Sequence, residues 1–150
     1  LVSPNGGFHT QDGIVMVVVG TDAQFARMCS ALGLDGLADD PRFATNNDRV
    51  TNKVALRVAM ETQLASATRA HWVARLHDAN VPCAPLQDLK EAAAHAQTAA
   101  MGMVQTRPDG AFSVLGFPLR VDGTRPPYEH SAPSLGEHNS ALASGGAPAK

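Results

Sequence analysis

The chain has 150 residues, of which 44% are hydrophobic, and this is enough for about one domain with a buried core. Its 12 Lys and Arg against 14 Asp and Glu give a formal charge of −2 without any block of like charges, so the composition disfavours nucleic acid and anionic membranes as partners. The longest strongly apolar run, IVMVVVG from Ile14, is far shorter than the roughly 20 residues that span a membrane, and no charged leader-like segment precedes it, so we expect a cytoplasmic protein.

The first predicted elements are a buried strand and a helix. Residues 14–20 follow an Asp-Gly turn and are rich in β-branched side chains, a pattern typical of a strand. Residues 22–32 have helical periodicity, with Thr21 and Gln24 at the spacing of a capping box and Gly33 at the position that ends a helix. The apolar residues that recur at helical spacing are Phe25, Met28, Cys29 and Leu32.

The polar stretch DDPRFATNNDRV, residues 39–50, is dense in charged and amide side chains. Asp40 before Pro41 is typical of a helix start, because proline at the first helical position loses only an N–H that has no partner there. Phe43 provides an aromatic anchor, and we expect Arg49 to tie the following helix to this turn. The stretch therefore indicates a structural role rather than a catalytic one.

Two helices are predicted in the middle of the chain. The first, over residues 47–64, carries Arg57 and Glu61 at i, i+4 between two apolar stripes, so we expect it to pack on two sides. The stripes are Val50, Val54, Val58 and Leu56, Met60, Leu64. The second helix, over residues 69–79, has Thr68 as its N-cap.

The last third of the chain predicts short elements. Helical turns are expected at 88–94 and 95–100, and two alternating runs on either side of Pro108-Asp109-Gly110 predict a β-hairpin. A Pro-rich extended segment and one final short helix, within residues 135–143, follow. The fold class is thus α+β: one buried strand, a helical middle, and a hairpin that completes a small antiparallel sheet.

Individual motifs give no catalytic or metal-binding residue. The glycine pair Gly6-Gly7 lacks the pattern of a phosphate loop, and a tight turn is favoured over backbone that approaches a ligand. His71 and His77 are six residues apart and face different sides of a helix, so they do not indicate a metal site. Neither the glycine pair nor the two histidines indicate a bound cofactor.

The two cysteines and the adjacent Glu137 and His138 each allow a structural and a chemical interpretation. Cys29 and Cys83 are expected to be reduced and buried; a nucleophilic role for Cys83 is less favoured than simple packing. A direct catalytic role for Glu137 or His138 is less favoured than helix-start capping and loop hydrogen bonds.

The order of the motifs is more distinctive than any one of them, and it closely resembles the C-terminal part of family III CoA-transferases. That group includes the formyl-CoA and carnitine CoA-transferases and the α-methylacyl-CoA racemases. The resemblance covers roughly residues 4–143. The motifs are F-x-T-x-D-G from Phe8, Q-F from Gln24, D-P-R-F-A-T-N-x-x-R-V from Asp40, Trp72, V-P-C-A-P from Val81, G-M-V from Gly102, G-x-P-x-R from Gly116 and A-P-x-L-G-E-H from Ala132.

The resemblance implies a piece of a longer enzyme. Family members have a large Rossmann-like domain that binds CoA and supplies a nucleophilic aspartate, and a small domain that closes over the acyl site of an interlocked homodimer. On this view the chain is an acyl-site lid, inactive alone, whose partners are the missing large domain, a second chain, an acyl-CoA and a carboxylate; CoA is a substrate, not a cofactor. The expected division is a small α/β domain at 1–107, a hairpin, linker and helix at 108–143 that return to the large domain, and a disordered tail at 144–150.

The resemblance also implies substrate contacts at Gly6, Gly7, Glu137 and His138. We expect the glycines to form a mobile loop over the acyl intermediate, where valine at both positions slows turnover but leaves the fold intact. Two alternatives stay open. The parent protein could be an α-methylacyl-CoA racemase, or the chain could be a free-standing binding or interaction module that reuses this fold.

Overall fold

The computed structural model describes residues 1–107, 110–128 and 132–145, and the chain divides into two units with a boundary between Leu86 and Gln87. The predicted turn residues Pro108 and Asp109 and most of the predicted tail lie outside the described residues. Within the described ranges, no helix has the length and apolarity to cross a bilayer. The predicted domain division after residue 107 refers to a longer protein and stays a prediction.

The first unit is built on a three-stranded antiparallel sheet in the order β1-β2-β3. Phe8 lies opposite Val15 and Val17 lies opposite Cys83 in the sheet register. The elements in chain order are β1 (Asn5–His9), β2 (Ile14–Val18), α1 (Asp22–Leu32), α2 (Asp35–Ala38), a 3₁₀ turn (Pro41–Phe43), α3 (Asn46–Thr51), α4 (Lys53–Leu64), α5 (Arg69–Asp78) and β3 (Cys83–Pro85).

The core lies on one face of this sheet. Val15 and Val17 are fully buried, whereas Ile14 and Met16 are half-buried on the opposite face. The predicted strand is therefore confirmed, but it alternates in burial because the core of the first unit packs on one face of the sheet. The buried apolar residues from the strands and helices are Phe8, Val15, Val17, Val19, Phe25, Met28, Cys29, Leu32, Phe43, Leu56, Met60, Leu64, Trp72, Leu76 and Val81.

Helix α1 begins and ends as its sequence predicts. The backbone N–H of Gln24 donates to Oγ1 of Thr21 at 3.2 Å, and Oε1 of Gln24 accepts from the Thr21 N–H at 3.2 Å, which completes the capping box. Gly33 adopts the left-handed conformation with φ of 70°, and its N–H donates to the Ser30 carbonyl. Local signals thus suffice to set both ends of this helix.

A fully buried guanidinium joins separate parts of the first unit. Arg49 donates from Nε to the Ser3 carbonyl at 2.8 Å, from Nη1 to the Phe43 carbonyl at 3.1 Å and from Nη2 to Oδ1 of Asp22 at 2.7 Å. Its guanidinium also lies 4.5 Å from the ring centroid of Phe25. The predicted tie from Arg49 back to the preceding turn is confirmed, and it extends to the N-terminal segment and α1.

The turn before Arg49 starts as predicted, although it forms one 3₁₀ turn rather than an α-helix. The Asp40 carboxylate accepts the Arg42 N–H at 2.9 Å and pairs with the Arg42 guanidinium at 2.7 Å. Side-chain and backbone hydrogen bonds from Arg42 lower the pKa of Asp40 below its ordinary value. Pro41 occupies the first position of the turn, and the Phe43 side chain is buried.

The predicted helix over 47–64 is two helices. Asn52 leaves the helical conformation, with φ of −98° and ψ of 21°, and so separates α3 from α4. Its side-chain amide donates to the carbonyls of Arg42 and Asp48, both at 3.0 Å. Asparagine competes for backbone groups in this way, and here the bonds redirect the chain.

The second unit consists of short elements. They are α6 (Leu89–Ala94), α7 (Ala96–Ala100), β4 (Val104–Thr106), β5 (Ser113–Leu115) and α8 (Asn139–Ala143). The predicted helices and hairpin are confirmed, with Val104 opposite Leu115. The hairpin forms a two-stranded sheet of its own, so the prediction that it completes the first sheet is wrong. None of the described residues from Gln87 onward is buried.

We predict that Arg49→Met destabilises the first unit much more than Asp22→Asn. Methionine fills the space but leaves the buried Ser3 and Phe43 carbonyls without donors, and each such group costs about 1–3 kcal/mol. Asp22→Asn keeps an oxygen that can accept from Nη2 of Arg49, and the Asp22 side chain is 67% exposed to water, so loss of its charge costs about 1 kcal/mol or less. Urea unfolding followed by circular dichroism measures both free energies; equal losses would contradict the central role of the guanidinium.

Candidate functional site

The predicted substrate-contacting glycines lie in a strand. Gly6 and Gly7 belong to β1, where they pair with Val17 and Met16 of β2. The prediction of a mobile loop with two glycine hinges is therefore wrong. A substrate contact at these positions stays a prediction, and it would involve an edge-strand backbone instead of a moving segment.

Both glycines have physical reasons to lack a side chain. Gly6 has φ of 153°, in a region that residues with a Cβ rarely adopt. At Gly7 a Cβ would lie 2.9 Å from Cγ2 of Ile14 and 3.3 Å from Sδ of Met16. The expectation that valine at both positions leaves the fold intact is therefore wrong, because the first substitution strains the backbone and the second clashes with β2.

Helix α4 covers the free edge of β1. Nη2 of Arg57 donates to the Gly7 carbonyl at 2.9 Å, and the guanidinium lies 4.7 Å from the ring centroid of Phe8. Glu61 pairs with Arg57 at 2.5 Å and accepts the His9 N–H at 3.5 Å. These contacts satisfy strand groups that would otherwise be open to another chain.

A groove of roughly 470 Å³ lies beside this edge, and we call it the α4 groove. One wall is the N-terminal segment 1–5 and the other is α4. Val54 and Val58 line it with 71% and 60% of their surface exposed, so the prediction that the helix packs on two sides within this chain is wrong. The valine stripe was the only feature of the sequence that pointed to this groove, and packing within a core would explain the same stripe equally well. The complete lining is Leu1, Val2, Ser3, Pro4, Asn5, Phe8, Val50, Lys53, Val54, Leu56, Arg57, Val58 and Glu61.

Hydrogen bonds fix the N-terminal wall of the α4 groove. The Ser3 N–H donates to Oδ1 of Asn46 at 3.0 Å, and Nδ2 of Asn46 donates to the Leu1 carbonyl at 3.0 Å. Arg49 holds the Ser3 carbonyl from the buried side. The groove is thus shaped by the fold and does not need a ligand to form.

The second predicted pair belongs to the other unit and serves local structure there. Oε2 of Glu137 accepts the Ser134 N–H at 2.6 Å, and the Glu137 N–H donates to the Ser134 carbonyl at 3.0 Å. His138 precedes α8 without a side-chain capping bond. These contacts match the expected loop hydrogen bonds for Glu137, whereas no side chain caps the start of α8. Substrate contact by either residue stays a prediction.

The F-x-T-x-D-G motif forms the turn between β1 and β2. Thr10 donates from its N–H and its hydroxyl to the Gly13 carbonyl at 2.8 and 2.9 Å. Asp12 accepts the Arg69 N–H at 2.6 Å and so binds the first residue of α5. This motif of the family resemblance is therefore structural in this chain.

The thiols show no arrangement for nucleophilic chemistry. Burial raises the pKa of Cys29 to about 11 and also raises that of Cys83, so both thiols stay protonated near neutral pH. Cys29 is free and buried, as predicted, but Cys83 is only half-buried. The Cys83 sulfur lies 3.8 Å from the Val73 carbonyl, while the His77 ring contacts the Cys83 carbonyl rather than its sulfur.

Over the described part of the chain, no group of side chains could hold a metal ion.

The sequence and the fold of this chain occur in a known protein family. The sequence pattern of CoA-transferase family III matches residues 1–139 of this chain. The chain is 38% identical over 142 residues to acetyl-CoA:oxalate CoA-transferase of Acetobacter aceti, covering 94% of this chain and 36% of that one. It is 33% identical over 140 residues to succinate–glutarate CoA-transferase of Agrobacterium fabrum, covering 91% and 35%. The chain thus spans about a third of the length of these relatives.

A solved structure shares the fold. It is a CaiB/BaiF family protein from Brucella suis, with a TM-score of 0.87 and 30% identity. The match covers 96% of this chain and 38% of that protein.

We predict that Gly6→Ala destabilises the chain by about 1–3 kcal/mol, because alanine at a φ of 153° is strained. Gly36→Ala is the matched control. Gly36 lies in α2, where an added Cβ would have no atom within 4 Å, so alanine there is expected to be neutral or to stabilise by roughly 0.5–1 kcal/mol. Thermal and urea unfolding compare the two variants, and a neutral Gly6→Ala would show that β1 tolerates a side chain.

Alkaline pH should destabilise the fold through the buried Cys29 thiol, which ionises more readily in the unfolded chain. Because the pKa of Cys29 is about 11 in the fold and near 9.0 when the chain is unfolded, its contribution to stability is fully present below pH 9 and is lost as pH rises toward 11. We expect the free energy of unfolding of the unsubstituted chain to fall more steeply over this pH range than that of the Cys29→Ala variant. A constant difference between the two proteins across pH 9 to 11 would contradict the burial of this thiol.

Proposed function

Because the chain belongs to CoA-transferase family III, we propose that it is part of an enzyme that moves CoA between carboxylic acids. In this proposal the chain supplies the small domain, which closes over the acyl site, and the nucleophile belongs to a larger domain outside it. The observation that supports this most strongly is coverage: the family match extends over residues 1–139, yet the chain spans about a third of its relatives.

Five of the eight carboxylates of the first unit have structural partners, which supports a nucleophile elsewhere. Asp22, Asp40 and Glu61 each pair with an arginine, and Asp12 and Asp48 each accept a backbone N–H at a helix start. A carboxylate that attacks a thioester needs an open approach and a site that stabilises the developing charge. These carboxylates instead stabilise turns and helices.

The proposed chemistry is covalent and uses an aspartate of the larger domain. That carboxylate attacks the donor thioester, expels the CoA thiolate and forms a mixed anhydride. The thiolate then attacks the aspartyl carbonyl and releases the donor acid, which leaves an aspartyl-CoA thioester. The acceptor carboxylate repeats these steps in reverse and departs as its CoA thioester. This chain would exclude water while the anhydrides exist.

Substrate contacts and assembly form the finer part of the proposal. We retain Gly6, Gly7, Glu137 and His138 as substrate contacts of the complete enzyme. A homodimer rests on the family resemblance, and a cytoplasmic setting rests on the sequence expectation drawn from its short apolar runs. The relatives compared above are named as CoA-transferases for acetyl-CoA and oxalate and for succinate and glutarate, which favours transfer over racemisation without identifying the acids used here.

A chimera tests the lid role directly. We expect residues 1–139 of this chain, placed into the Acetobacter aceti acetyl-CoA:oxalate CoA-transferase in exchange for the matching segment, to support formation of oxalyl-CoA from acetyl-CoA and oxalate. The chain alone should give no product, because it lacks the proposed nucleophile. Liquid chromatography of the CoA thioesters follows both reactions.

Three outcomes would contradict this proposal in different ways. Turnover by the purified chain alone would place a nucleophile within it. A folded chimera that transfers no CoA would oppose the lid role and favour a free-standing module. Exchange of the α-proton of a 2-methylacyl-CoA with solvent deuterium, in place of transfer, would favour a racemase. Circular dichroism and size-exclusion chromatography establish that the chimera is folded.

A further inference from the structure

We propose that the α4 groove binds an aliphatic monocarboxylate of medium chain length, with the tail along the valines of α4 and the carboxylate at Lys53. This inference goes beyond the proposed function, because it needs only residues of this chain and holds whether or not the chain takes part in CoA transfer. It rests on the shape, the apolar wall and the charge of the groove.

The dimensions suit a small apolar tail. The volume of roughly 470 Å³ lies within the range of about 300–1,000 Å³ typical of ligand sites. From Lys53 to Glu61 the helix advances eight residues, or about 12 Å. A chain of about eight carbons in extended form has a comparable length, so octanoate would cover the wall without extending past Glu61.

The apolar wall has no cover within the first unit. Val54 and Val58 recur at i, i+4 on α4 and remain largely exposed, while Phe8 and Leu56 form the buried floor between the walls. Removing such surface from water is favourable by about 25 cal/mol per Å². An alkyl tail placed along the two valines would bind with this favourable free energy of burial, and the fold would not have to rearrange.

Charge at one end of the groove selects an anion. Lys53 is exposed and has no ion-pair partner among the described residues, whereas Arg57 is paired with Glu61 and bonded to the Gly7 carbonyl. The Glu61 end is therefore neutralised, and the Lys53 end carries an uncompensated positive charge. An amphiphile with one anionic head matches this polarity, whereas a cationic or a purely apolar ligand does not.

The groove is also preformed, which lowers the cost of binding. Asn46 and Arg49 hold the N-terminal wall, and the bonds from Arg57 and Glu61 hold α4 against β1. A ligand therefore does not have to order either wall, and its affinity is not reduced by that cost.

Titration of the ¹⁵N-labelled chain with sodium octanoate tests the proposal. We expect saturable shifts confined to the backbone amides of residues 1–8 and 50–61. Octanol, which has the same tail and no charge, should bind roughly threefold to fivefold more weakly, the size of one exposed ion pair. Propionate, which keeps the head and lacks the tail, should cause no saturable shift.

Matched variants separate the head from the tail. Lys53→Gln should weaken octanoate to the affinity of octanol and leave octanol unchanged, whereas Lys90→Gln, at an exposed lysine of α6, should change neither. Val58→Asp should weaken both ligands about tenfold or more. The amide spectrum of each variant without ligand establishes that it is folded, and Val58→Ala serves as a milder variant if Val58→Asp is not.

The proposal is overturned if octanoate gives no saturable shifts, if shifts spread over the chain, or if Lys53→Gln leaves the preference for octanoate over octanol unchanged. It is also overturned if the amides of residues 50–61 shift with protein concentration alone, because a second copy would then occupy the groove. Failure of octanoate binding would leave the chimera experiment unaffected, so the two proposals are tested independently.

Discussion

Burial of one positive charge is the constraint on which the first unit depends. An unpaired buried guanidinium would be strongly destabilising, so its donors must all find acceptors in fixed positions. Arg49 meets this requirement with the carbonyls of Ser3 and Phe43, the Asp22 carboxylate and the face of Phe25. Lysine could not replace it, because an ammonium lacks the planar fork of donors that reaches several acceptors at once. The N-terminal segment, α1 and the 3₁₀ turn are thereby fixed relative to one another.

The surface features of the first unit follow from this arrangement. Holding the Ser3 carbonyl sets the course of the N-terminal segment into β1, and this course creates one wall of the α4 groove. The break at Asn52 then redirects the helical chain so that Arg57 and Glu61 of α4 lie along the free edge of β1. The sequence signature around Asp40 and Arg49 is thus structural, and the surfaces that it supports are the places where binding can occur. This separation of scaffold from surface is why a conspicuous motif need not mark a reacting group.

Prediction from sequence succeeded where the determining contacts are local. The capping box of Thr21 and Gln24 acts within four residues, so the sequence alone locates the start of α1. It failed for Gly6 and Gly7, because a glycine pair is typical of turns and only pairing with β2, a non-local contact, makes it part of a strand. The valine stripe of α4 was misread as core for a similar reason: periodicity shows that a face is apolar but not whether this chain covers it. The candidate site could not be predicted, since a groove depends on the relative positions of distant segments.

Exchange of the Arg49 side-chain proton with solvent tests the central claim most directly. The Nε–H donates to a buried carbonyl, so it can exchange only when the first unit opens. In the native chain we expect its exchange to be slowed to the rate of the core amides of β2, while the Nε–H of the exposed Arg75 exchanges as in a free peptide. Exchange of the Arg49 proton at the rate of Arg75, in a chain whose β2 amides remain protected, would show that the guanidinium is not held by the fold and would contradict the account.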